Sequence, residues 1–460
     1  MFTYSSDQFH RDWKYATEKE FTYPPESKPY PYASNGSQEW GDEVQKLDFP
    51  QPSTACISKD QKKLAVAVKS SSTISIIDTT TPWQVSPHQI THAAAAEIEG
   101  LVFDPNNTDI LLSSEIDANR RPTVRVWRSS GDGLETQVII NGRLRTQFGA
   151  HVFSPSGKWM TYLAGNPRAN GVEPWDVVIC RSESSSSSSS VFFPEHVVLR
   201  GHTDNVTWTG WNADESLLGS VSWDGTARIW DVATGAQVHV FTTTEGGQNW
   251  TGAFSKSGSP LLFAATGGRG TLHIFDLANG SERWMYDFDE SRDWWRALDW
   301  HPNGRWLAVG GRAGASLLLL DVEEKRVLQE RRLSARNLRP DQEEEGMSRL
   351  FLNRWLEVST VKFVDGGRKL AFWSTGDSSV EVLDIAEGTK WRFARGGTNP
   401  DSERGEWVDD RGKVTSQGGK GMLVWDDEEG GQTVLVSIDF DGLRVWKIPA
   451  STREGLKPQV

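Results

Sequence analysis

The run from Gly201-His202-Thr203-Asp204-Asn205-Val206 through Ser222-Trp223-Asp224-Gly225 to Trp230-Asp231 constrains this chain more than any other feature. It reads as one whole repeat: a Gly-His opening, an alternating strand, an Asp-Gly turn and a Trp-Asp exit. Weaker copies flank it on both sides. Their apolar exits fall at Ile77, Trp127, Cys180, Trp230, Phe275, Leu320, Leu383 and Trp446, spaced 45 to 63 residues apart. Self-similarity at this period means an array of small sheets that bury their faces against each other, so the 460 residues read as one array and not as two or three unrelated domains.

First strands in the same register are expected at Ser53–Ser58, Ile98–Phe103, Gly149–Phe153, Val206–Trp211, Trp250–Phe254, Arg296–Trp300, Ser359–Phe363 and Gly421–Trp425. Most carry an apolar residue at every second position, the pattern of a half-buried strand. Turn signals follow several of them, as in Ser154-Pro155-Ser156-Gly157 and His301-Pro302-Asn303-Gly304. The eighth unit supplies three strands before the chain runs out. Its missing outer strand is expected from Glu43–Phe49, which would cover an edge that otherwise invites aggregation.

These residues resemble the WD-repeat family of β-propellers. The Gly-His…Trp-Asp match is full in the fourth unit, and Phe275-Asp276, Leu320-Asp321 and Leu383-Asp384 are partial matches. The resemblance implies an all-β fold: a single closed propeller of four-stranded blades, eight by this count with seven as the alternative, spanning residues 42–449. Residues 1–41 form an aromatic-rich extension and 450–460 a tail. The resemblance also implies a buried network of His202, Ser222, Asp224 and Trp230. That network is structural and is not a Ser-His-Asp catalytic triad, because a buried carboxylate needs donors of this kind.

WD-repeat proteins tend to bind peptides on the top face, at the start of each inner strand and just before the turn Asp. On matching positions this picks Glu97 and Glu99 in the second unit, Asn205, Thr207 and Trp223 in the fourth, and Gln248 and Trp250 in the fifth. It picks Trp294 and Arg296 in the sixth, Glu357 in the seventh and Phe440 in the eighth. The third unit is too irregular to place. Aromatics beside Arg and Glu are the composition of a binding surface, although in a chain with 22 Trp some reach such positions through packing alone. Trp223, Trp250 and Trp294 could form a cage for a modified lysine. Glu97 and Glu99 favour a basic peptide.

The rest narrows the function classes. Net charge is −13, which disfavours nucleic acid as a partner. No apolar stretch is long enough to span a bilayer, and no secretory signal is visible. The chain therefore reads as intracellular, cytoplasmic or nuclear, and Asn205-Val206-Thr207 as unglycosylated. Cys56 and Cys180 sit in strand-like runs and read as buried free thiols, with a disulfide as the lesser option. No cofactor or metal is expected, since phosphate loops and ligand spacings are missing. Gly267-Gly268-Arg269-Gly270 reads as a turn, and His151, His239 and His273 as satisfied strand residues.

Three segments stand outside the repeat. Met347, Leu350, Phe351 and Trp355 mark a short amphipathic helix within Leu333–Glu357, behind a capping pattern at Asp341 and Glu344. Residues 395–419 read as a polar, mobile loop, and Ser184–Ser190 as a disordered spacer. The first 40 residues hold five of the seven tyrosines, so the extension should dock, either on its own propeller or on another protein. Two functions are carried forward. One is a non-catalytic scaffold binding a protein or peptide on the top face. The other is an enzyme or small-molecule binder using a central pocket, with residues 334–357 and 395–419 as lids.

Overall fold

A computed structural model describes residues 44–450 apart from 69–72, 81, 92–96, 118, 120, 131–132, 166–174, 183–192, 244–247, 289–293, 312–315, 333–356, 376–379, 386–389, 393–405, 409–413, 417–420, 428–430 and 440. Among the described residues the protein is all-β, built from antiparallel strands with one short 3-10 turn at Asp365–Gly367. The chain divides into two compact bodies. One holds Phe49–Ala313 and Leu318–Glu330; the other holds Met1–Asp48, Gly314–Leu317 and Arg331–Val460.

In the first body each repeat unit is a meander. The fourth unit is the sheet of Val206–Trp211, Leu217–Ser222, Thr226–Asp231 and Gln237–Thr242, in that order. The fifth is Gly252–Phe254, Leu262–Gly267, Thr271–Asp276 and Ser281–Asp287. The first unit (Pro52–Ile57 to Gln84–Thr91) repeats the order, as does the sixth (Trp295–Trp300 to Arg326–Arg332), of which Ser316, Leu317, Arg331 and Arg332 count with the other body.

The core lies between successive sheets. One cluster joins Leu163, Ile179 and Val177 of the third unit to Val206, Leu218 and Trp230 of the fourth. The next joins Trp208 and Val221 of the fourth to Phe254, Phe263 and Phe275 of the fifth. This explains why strict alternation fails: with both faces covered, Leu262–Gly267 is buried at every position. Outer strands lack the second cover, and Ser281–Asp287 is mostly exposed or half-buried. Local crowding and turn geometry also fix glycines. A Cβ on Gly210 would sit 2.4 Å from the Trp208 ring, and Gly225 closes the Asp-Gly turn at φ 81°.

The second and third units depart from expectation. Gly149–Phe153 is not a strand; it leaves one bridge, Phe153 with Met160. Phe148 and Gly149 both take left-handed backbone, at φ 57° and 73°, which breaks the extended run. His151 is therefore not a strand residue, and its backbone N–H donates to the Thr209 carbonyl at 2.9 Å. The long strand Gly133–Arg143 of the second unit instead continues onto Trp159–Ala164, pairing Arg143 with Leu163. The two units thus share one seven-stranded sheet in place of two four-stranded ones.

In the second body, Gly421–Asp427, Gln432–Asp439 and Gly442–Pro449 form the eighth unit, and Gln45–Asp48 adds the fourth strand, as expected. Leu47 lies opposite Leu443 and Lys46 opposite Arg444. Lys46 also pairs with Asp441 at 3.0 Å. Burial would raise the Asp441 pKa, but Arg444 and Lys46 outweigh it and hold the carboxyl well below its usual range. Within residues 395–419, read as a polar, mobile loop, the described residues form a short ladder of Glu406–Val408 on Val414–Ser416. Met347, Leu350, Phe351, Trp355, the serine run and residues 1–41 lie outside the described residues.

Cys180 is buried and Cys56 half-buried, both as free thiols. Gly268–Gly270 is a turn between strands. His239 contacts the Leu277 carbonyl at 3.1 Å, and His273 contacts Thr271 Oγ1 at 3.0 Å and Glu282.

Candidate functional site

The network of the fourth unit is buried, and one of its members differs from the expected set. Trp230 Nε1–H donates to Ser220 Oγ at 2.9 Å, and Ser220 lies 2.7 Å from His202 Nε2. His202 Nδ1 is 2.8 Å from Asp224 Oδ2. Ser220, not Ser222, is therefore the serine of the chain. Ser222 donates to the Asp204 carbonyl at 2.9 Å and accepts the Asp224 N–H at 3.1 Å, holding the turn. The two serines share a strand face, so spacing alone could not separate them.

The same construction recurs. Ser113, Ser220 and Ser437 lie opposite Arg125, Arg228 and Arg444. Each arginine stands two residues before an exit tryptophan: Trp127, Trp230 and Trp446. In the second unit Trp127 Nε1–H donates to Ser113 at 2.8 Å, with Glu115 taking the place of the histidine.

The donor order fixes the His202 state. Ser220 receives the indole N–H, so its hydroxyl proton goes to Nε2; Nδ1–H then goes to Asp224. A neutral imidazole satisfies every member, and burial does push the His202 pKa below its ordinary value. Burial would raise the Asp224 pKa. The bonds from His202, Thr226 and the Thr203 N–H outweigh it and hold the carboxyl low. A pH prediction follows. The unfolded His202 takes a proton below about 6.5 while the folded one does not, so stability falls as pH drops through that value. Asp224 adds a further loss below about 4. The urea midpoint should decline from pH 7 to 5.5, with a slope of at most about 1.4 kcal/mol per pH unit from this histidine. His202→Gln should flatten that part of the profile; an unchanged profile refutes the assignment.

A cavity of about 320 Å³ opens where the starts of the inner strands of the second, fourth and fifth units meet the connection Arg143–Phe148. Of the expected residues, Glu99, Asn205, Thr207, Trp223 and Trp250 line it. Thr207 is buried, its hydroxyl 3.1 Å from the carbonyls of Val221 and Asn249, so its side chain serves the scaffold. Trp250 meets Trp223 edge-on at 5.4 Å and Trp294 at 5.2 Å between ring centroids. Glu97 and Gln248 are exposed and do not line the cavity. Glu357 is buried in the other body, and Phe440 lies outside the described residues.

The aromatic cage has an internal occupant. The Arg296 guanidinium sits 4.0 Å from the Trp250 ring centroid, 4.4 Å from Trp294 and 5.5 Å from Phe148. The place expected for a modified lysine is filled by the chain's own cation.

Sequence reasoning missed Arg143, Arg145 and Phe148. Arg145 Nη2–H donates to the Val206 carbonyl at 2.7 Å and approaches Asn205 Oδ1 at 3.4 Å; Arg143 Nη2–H donates to the same Asn205 oxygen. Burial, together with repulsion from Arg143, pushes the Arg145 pKa down to about 9, and Glu99 opposes the shift from a distance. Arg145 remains a cation at neutral pH. The signal was the pair Arg143-Leu144-Arg145 in a connection between repeats, inside the unit that could not be registered. Among the described residues no group of His, Cys, Asp or Glu could hold a metal ion. None of the described helices is long and apolar enough to cross a membrane.

Comparison with known proteins matches this architecture. The WD domain, G-beta repeat model matches residues 194–231 and 285–315. Sqt1 of Chaetomium thermophilum, solved bound to the N-terminus of the ribosomal protein L10, superposes with TM-score 0.62 at 18% identity, covering 88% of this chain and 100% of that one. Sqt1 of Saccharomyces cerevisiae gives 0.64 at 12% identity, covering 89% and 99%. The chain thus carries WD repeats at these positions and shares the fold of WD-repeat β-propellers. Among curated proteins, the ribosome biogenesis protein WDR12 homolog of Oryza sativa subsp. japonica is 22% identical over 242 residues, 52% of this chain. The WD40 repeat-containing protein HOS15 of Arabidopsis thaliana is 36% identical over 74 residues, 16% of this chain. The chain spans less than half the length of these two relatives, 46% and 12%.

Proposed function

We propose that this protein is a non-catalytic interaction scaffold that holds a segment of a protein partner against the face bearing the cavity. The observation that carries this reading is the continuous platform of Trp223, Trp250 and Trp294 with Arg296 locked among them, beside an open cavity. Large aromatics and arginine held rigid by each other dominate protein-binding hot spots, because little side-chain freedom is lost on docking. Sqt1, solved with a ribosomal protein segment, supports a protein partner in general. An intracellular setting, cytoplasm or nucleus, agrees with these relatives.

The cavity lining combines two arginines and two amides with a single carboxylate, Glu99, which has no second carboxylate and no histidine beside it among the lining residues, and this disfavours the enzyme alternative. Of the segment 334–357 expected as a lid, residues 334–356 lie outside the described residues, and Glu357 begins a strand. Within this same reading the eight repeat units close into one ring over 42–449, Gln45–Asp48 completing the last blade; seven blades is the alternative, and a projection image along the axis counts them.

A photo-crosslinking residue at exposed Gln147 or Gln248 tests the binding face. Either should give a protein adduct in cells, reduced at least fivefold by Trp223→Ala. A crosslinker at exposed Glu330 should not give that adduct. Equal adducts at all three positions overturn the assignment.

A further inference from the structure

We infer that the cavity takes an oxyanion, a carboxylate or phosphoryl group carried by a peptide segment, gripped by Arg145 with Arg143. The inference rests on the binding face proposed above and names the chemistry it selects.

Among the described residues Arg145 has no carboxylate within ion-pairing distance; its bonds go to a backbone carbonyl and a neutral amide. Its Nε is buried without a partner. A second guanidinium, Arg143, converges on the same amide oxygen of Asn205. A guanidinium at a cavity wall held only by neutral acceptors, as Arg145 is, with a second one beside it, is an arrangement that an incoming oxyanion completes. A guanidinium fork matches two oxygens of a carboxylate or phosphoryl group, and enclosure strengthens the bond. The neighbouring walls, Phe148, Trp223 and Trp250, are aromatic, so the anion must arrive on a chain with apolar flanks.

The chain as a whole is strongly acidic. That net negative charge repels general polyanions at long range, while the cationic recess admits a single anion presented at close quarters. The basic partner expected from Glu97 and Glu99 is thereby reversed at this cavity. Glu99 remains at its edge, where it orients a mixed-charge segment.

The test uses the full chain and the Gln147 crosslinker. The crosslinked partner peptide, mapped by mass spectrometry, should carry Asp, Glu or a phosphorylated residue beside the adduct. Arg145→Gln should reduce the adduct at least tenfold, Arg145→Lys less, and the exposed Lys325→Gln not at all. Loss on phosphatase treatment identifies a phosphoryl source; persistence identifies a carboxylate. An adduct that maps to a peptide without an anion and survives Arg145→Gln overturns the inference and leaves the scaffold standing.

If no protein adduct forms, the scaffold reading fails, and inorganic phosphate and acetate still probe the cavity. At constant ionic strength, either should quench tryptophan emission saturably in the wild type and at least tenfold more weakly in Arg145→Gln. No saturable change, or an equal one in a variant whose melting curve shows it folded, overturns the inference.

Discussion

Trp230→Ala is expected to destabilise the protein by about 3–5 kcal/mol, the loss typical of truncating a fully buried large aromatic. Trp230 is 2% exposed and sits in the core between the third and fourth units. The substitution also takes the indole N–H from Ser220, which loosens the bond that fixes His202. Trp230→Phe keeps most of the ring packing and loses the donor, so it should cost about 1–2 kcal/mol. Urea unfolding followed by far-ultraviolet dichroism reads both. A Trp230→Ala midpoint within error of wild type would refute the packing described for these sheets.

Removal of residues 1–48 should leave the edge strand Gly442–Pro449 without its partner. Backbone bonds along Gln45–Asp48, the burial of Leu47 and the Lys46–Asp441 pair would all be lost. The expected cost is about 3–5 kcal/mol, a fall of roughly 5–10 °C in Tm. The freed edge should also recruit other chains, which gel filtration detects as higher oligomers. A truncated protein that stays monomeric with an unchanged Tm would refute this role for the strand.

Much of the architecture is legible in the chain because it is set by local chemistry. Asp224-Gly225 needs a left-handed glycine, and the exit positions Trp127, Trp230 and Trp446 each take a buried place. Even the pairing of Gln45–Asp48 follows from a unit one strand short. The limits are equally physical. Phe148 takes a left-handed conformation that its residue type does not announce, and that one residue removes the expected strand at Gly149–Phe153. Arg143 and Arg145 matter through a neighbour some 60 residues away, Asn205, and no local pattern encodes that meeting. Trp250 and Trp294 could be picked as aromatic, but that Arg296 fills the space between them is knowable only in three dimensions.

The junction of Gln45–Asp48 with Gly442–Pro449 has a consequence for biosynthesis. Roughly 400 residues of synthesis separate the first of these strands from its mate. At 5–20 residues per second the wait is roughly 20–80 s. Throughout that interval Leu47 has no hydrophobic surface from the eighth unit to settle on, so the nascent chain must be shielded or kept from neighbouring polysomes until the last repeat arrives. Pairing of these two strands is therefore paced by synthesis of residues 421–449, and a translational pause before them lengthens the exposure of Leu47 to chaperones and proteases alike.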